Sequence, residues 1–331
     1  MLREISHSLS GWSGDDTWIV IVGALAAMAC ALPGVYLVLR RQSMMGDALS
    51  HSVLLGLVTG FVAVHKIFAA EWISRSSYES IRQPAMFVGA LVVGVLTAVL
   101  TEWVQKLGRV DSTAALGVVF TTLFALGLLL IRIEADSVHI DPDCVLYGTI
   151  ETVVLDTVGN SDVPRAAIAN GAVLAVGLLL MLLFYKELKI SAFDPELATT
   201  LGINARVLHY TLMAATSITL VAAFESVGSI LVIAMLIVPA ATASLLTERL
   251  SVMILLSLVI ATVSSLRGHA AAITLPEVVF GSLGFPVGRC ASTAGMMSAA
   301  AGVFFVSAVL FAPKQGVLSR AVSQVRLSLK I

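Results

Sequence analysis

Charged residues are scarce in this chain. Only 12% of its 331 residues are Asp, Glu, Lys or Arg, whereas a soluble domain carries about 25%. Hydrophobic residues make up 58%, and the mean hydropathy is +0.97. The formal net charge of −1 lacks the basic bias that nucleic-acid binding requires. This composition predicts a polytopic membrane protein.

Cysteine pairs and nucleotide-binding motifs are also missing. The three cysteines are odd in number and widely spaced, which argues against a disulfide framework. The chain has no G-x-x-x-x-G-K-[ST] phosphate loop and no polar stretch long enough to fold an ATPase domain. Asp15 and Asp16 precede the first apolar run, where a cleaved secretory signal would be basic, so this run is predicted to be a retained anchor.

The apolar segments predict an all-α helix bundle. A helix needs about 20 apolar residues to cross the bilayer core. About eight or nine segments qualify, and those from the sixth to the eighth are short enough that one is expected to be broken or re-entrant. They are Trp18–Leu39, Leu49–Val64, Ala85–Val104, Ala114–Ile131, Ala166–Phe184, Leu208–Phe224, Val227–Leu246, Val252–Leu266 and Ala294–Phe311.

The loops that are rich in lysine and arginine predict the orientation. They follow the first, third, fifth, seventh and ninth spans, which places the N-terminus outside and the C-terminus inside. Lys66, Arg75, Arg82, Arg132 and Arg289 do not fit this pattern.

One motif at the start of the second span places a carboxylate and an imidazole four residues apart. In Gly46-Asp47-Ala48-Leu49-Ser50-His51, Asp47 and His51 fall on the same helix face. Ionisable groups at such a position are costly and point to function. The pair predicts a metal site; the alternative is that Asp47 caps the helix and His51 hydrogen-bonds a neighbouring helix.

The loop after the fifth span contains a short helix signature. Asp194 suits the N-cap, Pro195 the first helical position, Glu196 the first turn and Gly202 the C-terminal stop. About two turns are expected, with Leu197 and Leu201 on one side. Such a helix either covers its own bundle or, with Phe193 beside it, docks in a groove of a cytoplasmic partner.

Four segments in order resemble the membrane permease of manganese/zinc/iron-type ABC importers, over about Ile21 to Arg320. They are Gly46–Gly56, Phe193–Ile203, Val227–Ala243 and Leu310–Leu318. The resemblance implies one permease domain, 18–313, with an extracytoplasmic segment 1–17, a coupling loop 186–207 and a cytoplasmic tail 314–331. Leu55, where the family usually has Pro, and apparent insertions at 65–84 and 267–289 depart from the family pattern.

The resemblance also implies partners and cargo. It implies a permease dimer in a bacterial-type cytoplasmic membrane, two cytoplasmic ATPase subunits that bind ATP, and an extracytoplasmic metal-binding protein. The chain itself is then no enzyme and holds no permanent cofactor. Asp47 and His51 would bind the transported ion, and their oxygen and nitrogen donors suit Mn²⁺, Fe²⁺ or Zn²⁺. The residue types do not choose among the three.

Further polar and small residues are weaker candidates. His139, Asp141 and Asp143 form an acidic outer cluster that either chelates a cation or is merely solvated. Glu225, at a predicted outer turn, and His269, in the second apparent insertion, are possible gating residues. Gly228 and Pro239 favour close helix packing or a kink along a pathway.

Two other functional classes remain open. A secondary transporter, coupled to ions without an ATPase, would need protonatable groups inside the spans, and the sequence offers few. An intramembrane metal hydrolase would use Asp47 and His51 catalytically, but the chain lacks the H-E-x-x-H spacing.

Overall fold

The computed structural model describes residues 12–70, 75–134, 148, 150–158, 162–282, 291–312 and 316–317. The side chains of 76–77, 79–80, 83, 134, 225, 229–230 and 277–282 lie outside this description. The described part is helical, with one isolated β-bridge between Thr157 and Pro164. Its ten α-helices are α1 Gly14–Leu39, α2 Ser43–Ala69, α3 Arg75–Gly108, α4 Ser112–Glu134, α5 Arg165–Leu183, α6 Tyr185–Phe193, α7 Pro195–Thr200, α8 Ala205–Leu246, α9 Leu250–Ser282 and α10 Thr293–Phe311.

The predicted helix bundle is confirmed. Among the described residues, eight helices are long and apolar enough to cross a membrane, and Leu231–Leu246 is a shorter apolar helix. The sixth and seventh predicted segments both lie in α8 and are separated at Gly228, which has non-helical dihedral angles (φ 75°, ψ 165°). The expected turn around Glu225 is therefore wrong, because the helix continues through this position as far as the break at Gly228.

Two loops expected from the sequence are largely helical. Residues 65–84 belong mostly to the end of α2 and the start of α3, and residues 267–282 belong to α9. At 1.5 Å per residue, the 34 residues of α3 extend for roughly 50 Å, well beyond a bilayer core of about 30 Å. Polar residues precede the apolar segment of α3, whereas α9 continues past Arg267 and His269 into further apolar sequence.

The chain divides into two units. The first comprises Met1–Val38, Asp143–Leu179 and Ala223–Ile331, and the second comprises Leu39–Pro142 and Leu180–Ala222. In the first unit, Gly34 of α1 lies against the backbone of α8: a Cβ there would be 1.8 Å from the Leu236 oxygen. Gly268 of α9 similarly lies against the backbone of Met297 in α10.

In the second unit, α2 packs closely against α3. A Cβ at Gly56 would lie 2.4 Å from the Gly89 carbonyl oxygen, and one at Gly89 would lie 2.2 Å from the Gly56 oxygen. Buried Thr97 of α3 donates a hydrogen bond to Ser52 of α2 at 2.9 Å. Small residues and an interhelical hydroxyl contact are the usual means of joining helices in a membrane, where both helices are already surrounded by apolar groups.

Candidate functional site

Asp47 and His51 lie in the second and third turns of α2. The helix starts at Ser43, earlier than the predicted Leu49, after a turn in which Arg41 has a left-handed φ of 56°. Asp47 is therefore inside the helix, and the N-cap position is occupied by Gln42. Asp47 Oδ1 and His51 Nε2 are 3.6 Å apart, and the two side chains are 41% and 38% exposed.

This separation is suited to a shared ion. It exceeds the normal range for a hydrogen bond, about 2.7–3.2 Å. Two donor atoms bound at about 2.1 Å to a tetrahedral ion lie about 3.4 Å apart, because the angle between them is near 109°. The pair can thus accept a cation with little movement, and its partial exposure leaves an open side for further ligands.

One protomer supplies only part of a coordination shell. No group of three His, Cys, Asp or Glu side chains gathers anywhere in the residues that the structure describes. His139, Asp141 and Asp143 lie outside the described residues. Within the described residues, Asp47–His51 and Asp16–His269 are pairs of a carboxylate and an imidazole, and of the two the Asp47–His51 pair is the more exposed.

The predicted docking segment folds as two short helices. The expected helix of about two turns is the six-residue α7, and α6 directly precedes it. Asp194 accepts a hydrogen bond from the Leu197 N–H at 2.9 Å, and Pro195 occupies the first turn. Gly202 has a φ of 81°, and the Ile203 N–H bonds the Ala198 oxygen at 2.9 Å, which ends the helix.

The docking segment exposes its large apolar side chains. Phe193, Leu197 and Leu201 are 59%, 48% and 59% exposed, while Ala198 is fully buried. Exposed leucines beside polar Thr199 and Thr200 give α7 one apolar and one polar side. An amphipathic helix of this kind is suited to insertion into an apolar groove.

A polar cluster, absent from the sequence predictions, connects α3 to the start of α8. Glu102 of α3 accepts a short hydrogen bond from the Tyr210 hydroxyl and pairs with Lys106. The Arg206 guanidinium lies 3.8 Å from the same carboxylate. Just after α7, Asn204 accepts hydrogen bonds from the N–H groups of Arg206 and Val207 in the first turn of α8, so a helix cap and this cluster both lie at the start of α8.

Arg40 connects α6 to α8. Its Nη2 donates to the Ser191 hydroxyl at 2.8 Å, and its Nη1 lies 3.5 Å from His209 Nδ1. Nearby, a cavity of about 310 Å³ is lined by Arg41, Arg206 and Glu102 together with neutral side chains. The positive charges of Arg41 and Arg206 outnumber the single negative charge of Glu102, which already pairs with Lys106. This excess of positive charge makes the cavity a poor cation site.

Gly228 lies at a backbone contact, and Pro239 lies inside the second half of α8. Gly228 has a conformation available essentially only to glycine. Gly148, itself at φ 72°, packs on this break, where a Cβ would be 2.3 Å from the Val227 carbonyl carbon. Pro239 lies within α8, where it cannot donate the backbone hydrogen bond to the Met235 carbonyl. The side chain of Glu225 is outside the described residues.

His269 is buried in α9 and does not lie in a loop, so its predicted setting is wrong. Only 3% exposed, it makes a 3.2 Å contact from Nε2 to Asp16 Oδ1 and a 3.4 Å contact from Nδ1 to Thr293 Oγ1. Glu151 accepts a hydrogen bond from the Thr293 N–H at 2.8 Å. These contacts join α1, α9, α10 and the 3-10 helix Ile150–Leu155 within the first unit.

Comparisons with known proteins agree with this architecture. The chain is 41% identical over 315 residues to the zinc transport system membrane protein TroD of Treponema pallidum, covering 95% of this chain and 78% of that protein. It is 40% identical to the manganese transport system membrane protein MntD of Bacillus subtilis, covering 92% and 95% respectively. A solved structure, PsaBC from Streptococcus pneumoniae in complex with Fab, superposes with a TM-score of 0.69 at 28% identity, covering 95% of this chain and 98% of that one.

These relatives match nearly the whole chain, which is consistent with one shared fold from α1 to α10. Residues 17–313 match the family model described as the ABC 3 transport family. The chain belongs to the ABC 3 transport family.

Proposed function

We propose that this chain is the membrane permease subunit of an ABC-type import system for manganese, zinc or iron. The observation that carries the proposal is the Asp47–His51 pair, with its donor atoms 3.6 Å apart on a membrane-spanning helix. The relatives named for zinc and manganese transport support the class of cargo. The permease is a transport subunit, and ATP is bound and hydrolysed on a separate protein.

A second permease, identical or related, completes the metal site. Two ligands do not fill the shell of a divalent transition metal, which takes four or more. A dimer brings a second carboxylate and imidazole to the same axis. A site divided between two chains is also easy to open, because a small relative movement of the chains separates the ligands and releases the ion.

The energy source docks at α6 and α7. Phe193, Leu197 and Leu201 enter a groove on the cytoplasmic ATPase, and ATP-driven closure of the ATPase pair moves α7. Asn204 and the Glu102 cluster carry this movement into α8 and α3. The permease thereby alternates between outward and inward access.

The remaining partner lies on the opposite side of the membrane. An extracytoplasmic metal-binding protein delivers the ion to the permease, whose N-terminus is outside and whose C-terminus is inside. This orientation places α7 in the cytoplasm, beside the ATPase. The membrane is the bacterial cytoplasmic membrane, which the chain crosses several times.

Uptake by site variants tests the metal site. Asp47→Ala and His51→Ala are expected to abolish uptake of manganese, zinc and iron in cells that lack their own importer, while the assembly stays intact. His65→Ala is the matched control, because His65 is a partly buried histidine farther along α2. Wild-type uptake by both site variants would refute the assignment.

Copurification tests the docking segment. Leu197→Asp and Leu201→Asp are expected to prevent the ATPase subunit from copurifying with the permease. Thr199→Asp adds the same charge on the polar side of α7 and serves as the control. Full ATPase retention by the leucine variants, or uptake that needs no ATPase, would instead favour a secondary transporter.

A further inference from the structure

Two phenylalanines of α4 contact the His51 ring. Phe120 stacks on the imidazole, with ring centroids 6.0 Å apart and planes inclined by 26°. Phe124 meets it edge-on, with centroids 5.4 Å apart and planes inclined by 68°. Both geometries lie in the preferred range for aromatic pairs, about 4.5–7 Å between centroids. Since they are four residues apart on one helix, the two rings form one surface, here called the aromatic wall.

The packing of α4 on α2 fixes the position of this wall. One turn beyond Phe124, Gly127 lies so close to α2 that a Cβ there would be 3.1 Å from the Leu55 nitrogen. Leu55 is one turn beyond His51 on α2, just as Gly127 is one turn beyond Phe124 on α4. The contact of His51 with the aromatic wall and the contact of Leu55 with Gly127 therefore follow one another along the same pair of helices. The wall is therefore held by a backbone contact and does not depend on the phenylalanine side chains alone.

The wall restricts the orientation of the imidazole. The terminal torsion of a histidine side chain is normally broad. With one face of its ring stacked on Phe120 and another side against Phe124, His51 keeps Nε2 directed at Asp47. The wall also places an electron-rich ring face beside an imidazole that becomes more positive when it binds a metal, which favours the bound state.

We propose that Phe120 and Phe124 are positioning residues for metal binding, acting through His51. They hold the imidazole as a ready ligand for the transported divalent ion and so raise the affinity of the permease for it. This inference rests on the proposed role of Asp47 and His51 in metal binding.

The test measures Mn²⁺ binding to the permease with its ATPase in lipid nanodiscs. Phe120→Leu and Phe124→Leu keep apolar volume but remove the ring, and each is expected to weaken binding about tenfold, as is usual when a group that orients a metal ligand is lost. Phe124→Tyr retains the ring and should bind almost as the wild type does. Phe61→Leu is the matched control, because Phe61 stacks on His65 of α2 at 5.9 Å, away from the pair.

Pulsed electron paramagnetic resonance of the bound Mn²⁺ separates positioning from general damage. The hyperfine coupling between Mn²⁺ and the ¹⁴N nucleus of His51 should weaken in the Phe120→Leu and Phe124→Leu variants and stay unchanged in Phe61→Leu. Unchanged affinity in both leucine variants, or lower affinity with an intact ¹⁴N coupling, would overturn the positioning role. If His51→Ala itself retains both the affinity and the coupling, the proposed metal site fails, which is a different result.

Discussion

The glycine contact between α2 and α3 allows a quantitative prediction about the helix that carries the metal pair. A methyl group at Gly56 would lie 2.4 Å from the Gly89 oxygen, whereas the Cβ atoms of real side chains essentially never come within 3.0 Å of such atoms. The helices must therefore separate by about 0.6 Å, and the obstructing atoms are backbone atoms that cannot rotate away. Overpacking of this kind costs about 1–3 kcal/mol.

The effect of Gly56→Ala on the intrinsic stability of the helix acts in the opposite direction, because it stabilises the protein. Replacing a glycine inside a helix by alanine stabilises the helix by about 0.5–1 kcal/mol. Gly117→Ala in α4 isolates this gain, because a Cβ there meets no atom within 4 Å. Because both variants share this intrinsic gain, the free energy of unfolding of Gly56→Ala is expected to fall about 1–3 kcal/mol below that of Gly117→Ala.

Unfolding of the purified permease in mixed micelles with increasing denaturing detergent measures this difference. Gly56→Ala should unfold at a lower detergent fraction than the wild type, and Gly117→Ala at an equal or higher one. Equal midpoints for the two variants would refute the close α2–α3 packing.

Three further substitutions probe other contacts, each followed by the thermal unfolding midpoint. Gly228→Ala is expected to destabilise the protein by about 1–3 kcal/mol, because alanine does not adopt the dihedral angles of the α8 break; an unchanged midpoint would contradict this conformation. His269→Ala should cost about 1–3 kcal/mol by leaving the Asp16 carboxylate without its imidazole partner, and a midpoint equal to the wild type would show that the contact is not formed. Tyr210→Phe should lower the free energy of unfolding by only about 1 kcal/mol, since Glu102 is partly exposed. The same substitution should reduce metal-stimulated ATP hydrolysis, and a wild-type rate of hydrolysis would exclude a role of Tyr210 in coupling the ATPase to the permease.

Local features of the fold were predictable from the sequence. The spacing of Asp47 and His51 fixes their common helix face, because that relation depends only on helix geometry. The Asp194 cap was equally predictable, since its hydrogen bond spans three residues. The separation of the sixth and seventh apolar segments was also visible in the sequence, and Gly228 marks it because its backbone conformation is essentially reserved for glycine.

Contacts between distant residues were not predictable. Asp16 and His269 are 253 positions apart, and neither carries a local signal of the other. Glu102 and Tyr210 are likewise 108 positions apart. The start of α3 was misjudged because hydropathy reports the apolar segment, whereas this helix already includes the polar residues before it. The predicted eighth span stopped before Arg267, but α9 continues through that charged residue into further apolar sequence.

The two kinds of interhelical contact in the second unit differ in how readily they can change. Gly56 and Gly89 join α2 to α3 through backbone atoms, so any sliding of these helices creates overlap or a gap. Glu102 joins α3 to α8 through long polar side chains, and Arg206 is 69% exposed, so water can replace these contacts at small cost. The Glu102 contacts between α3 and α8 can therefore rearrange more readily than the close packing of α2 on α3. Such a rearrangement would leave the mutual geometry of Asp47 and His51 intact, because a single helix, α2, carries both residues.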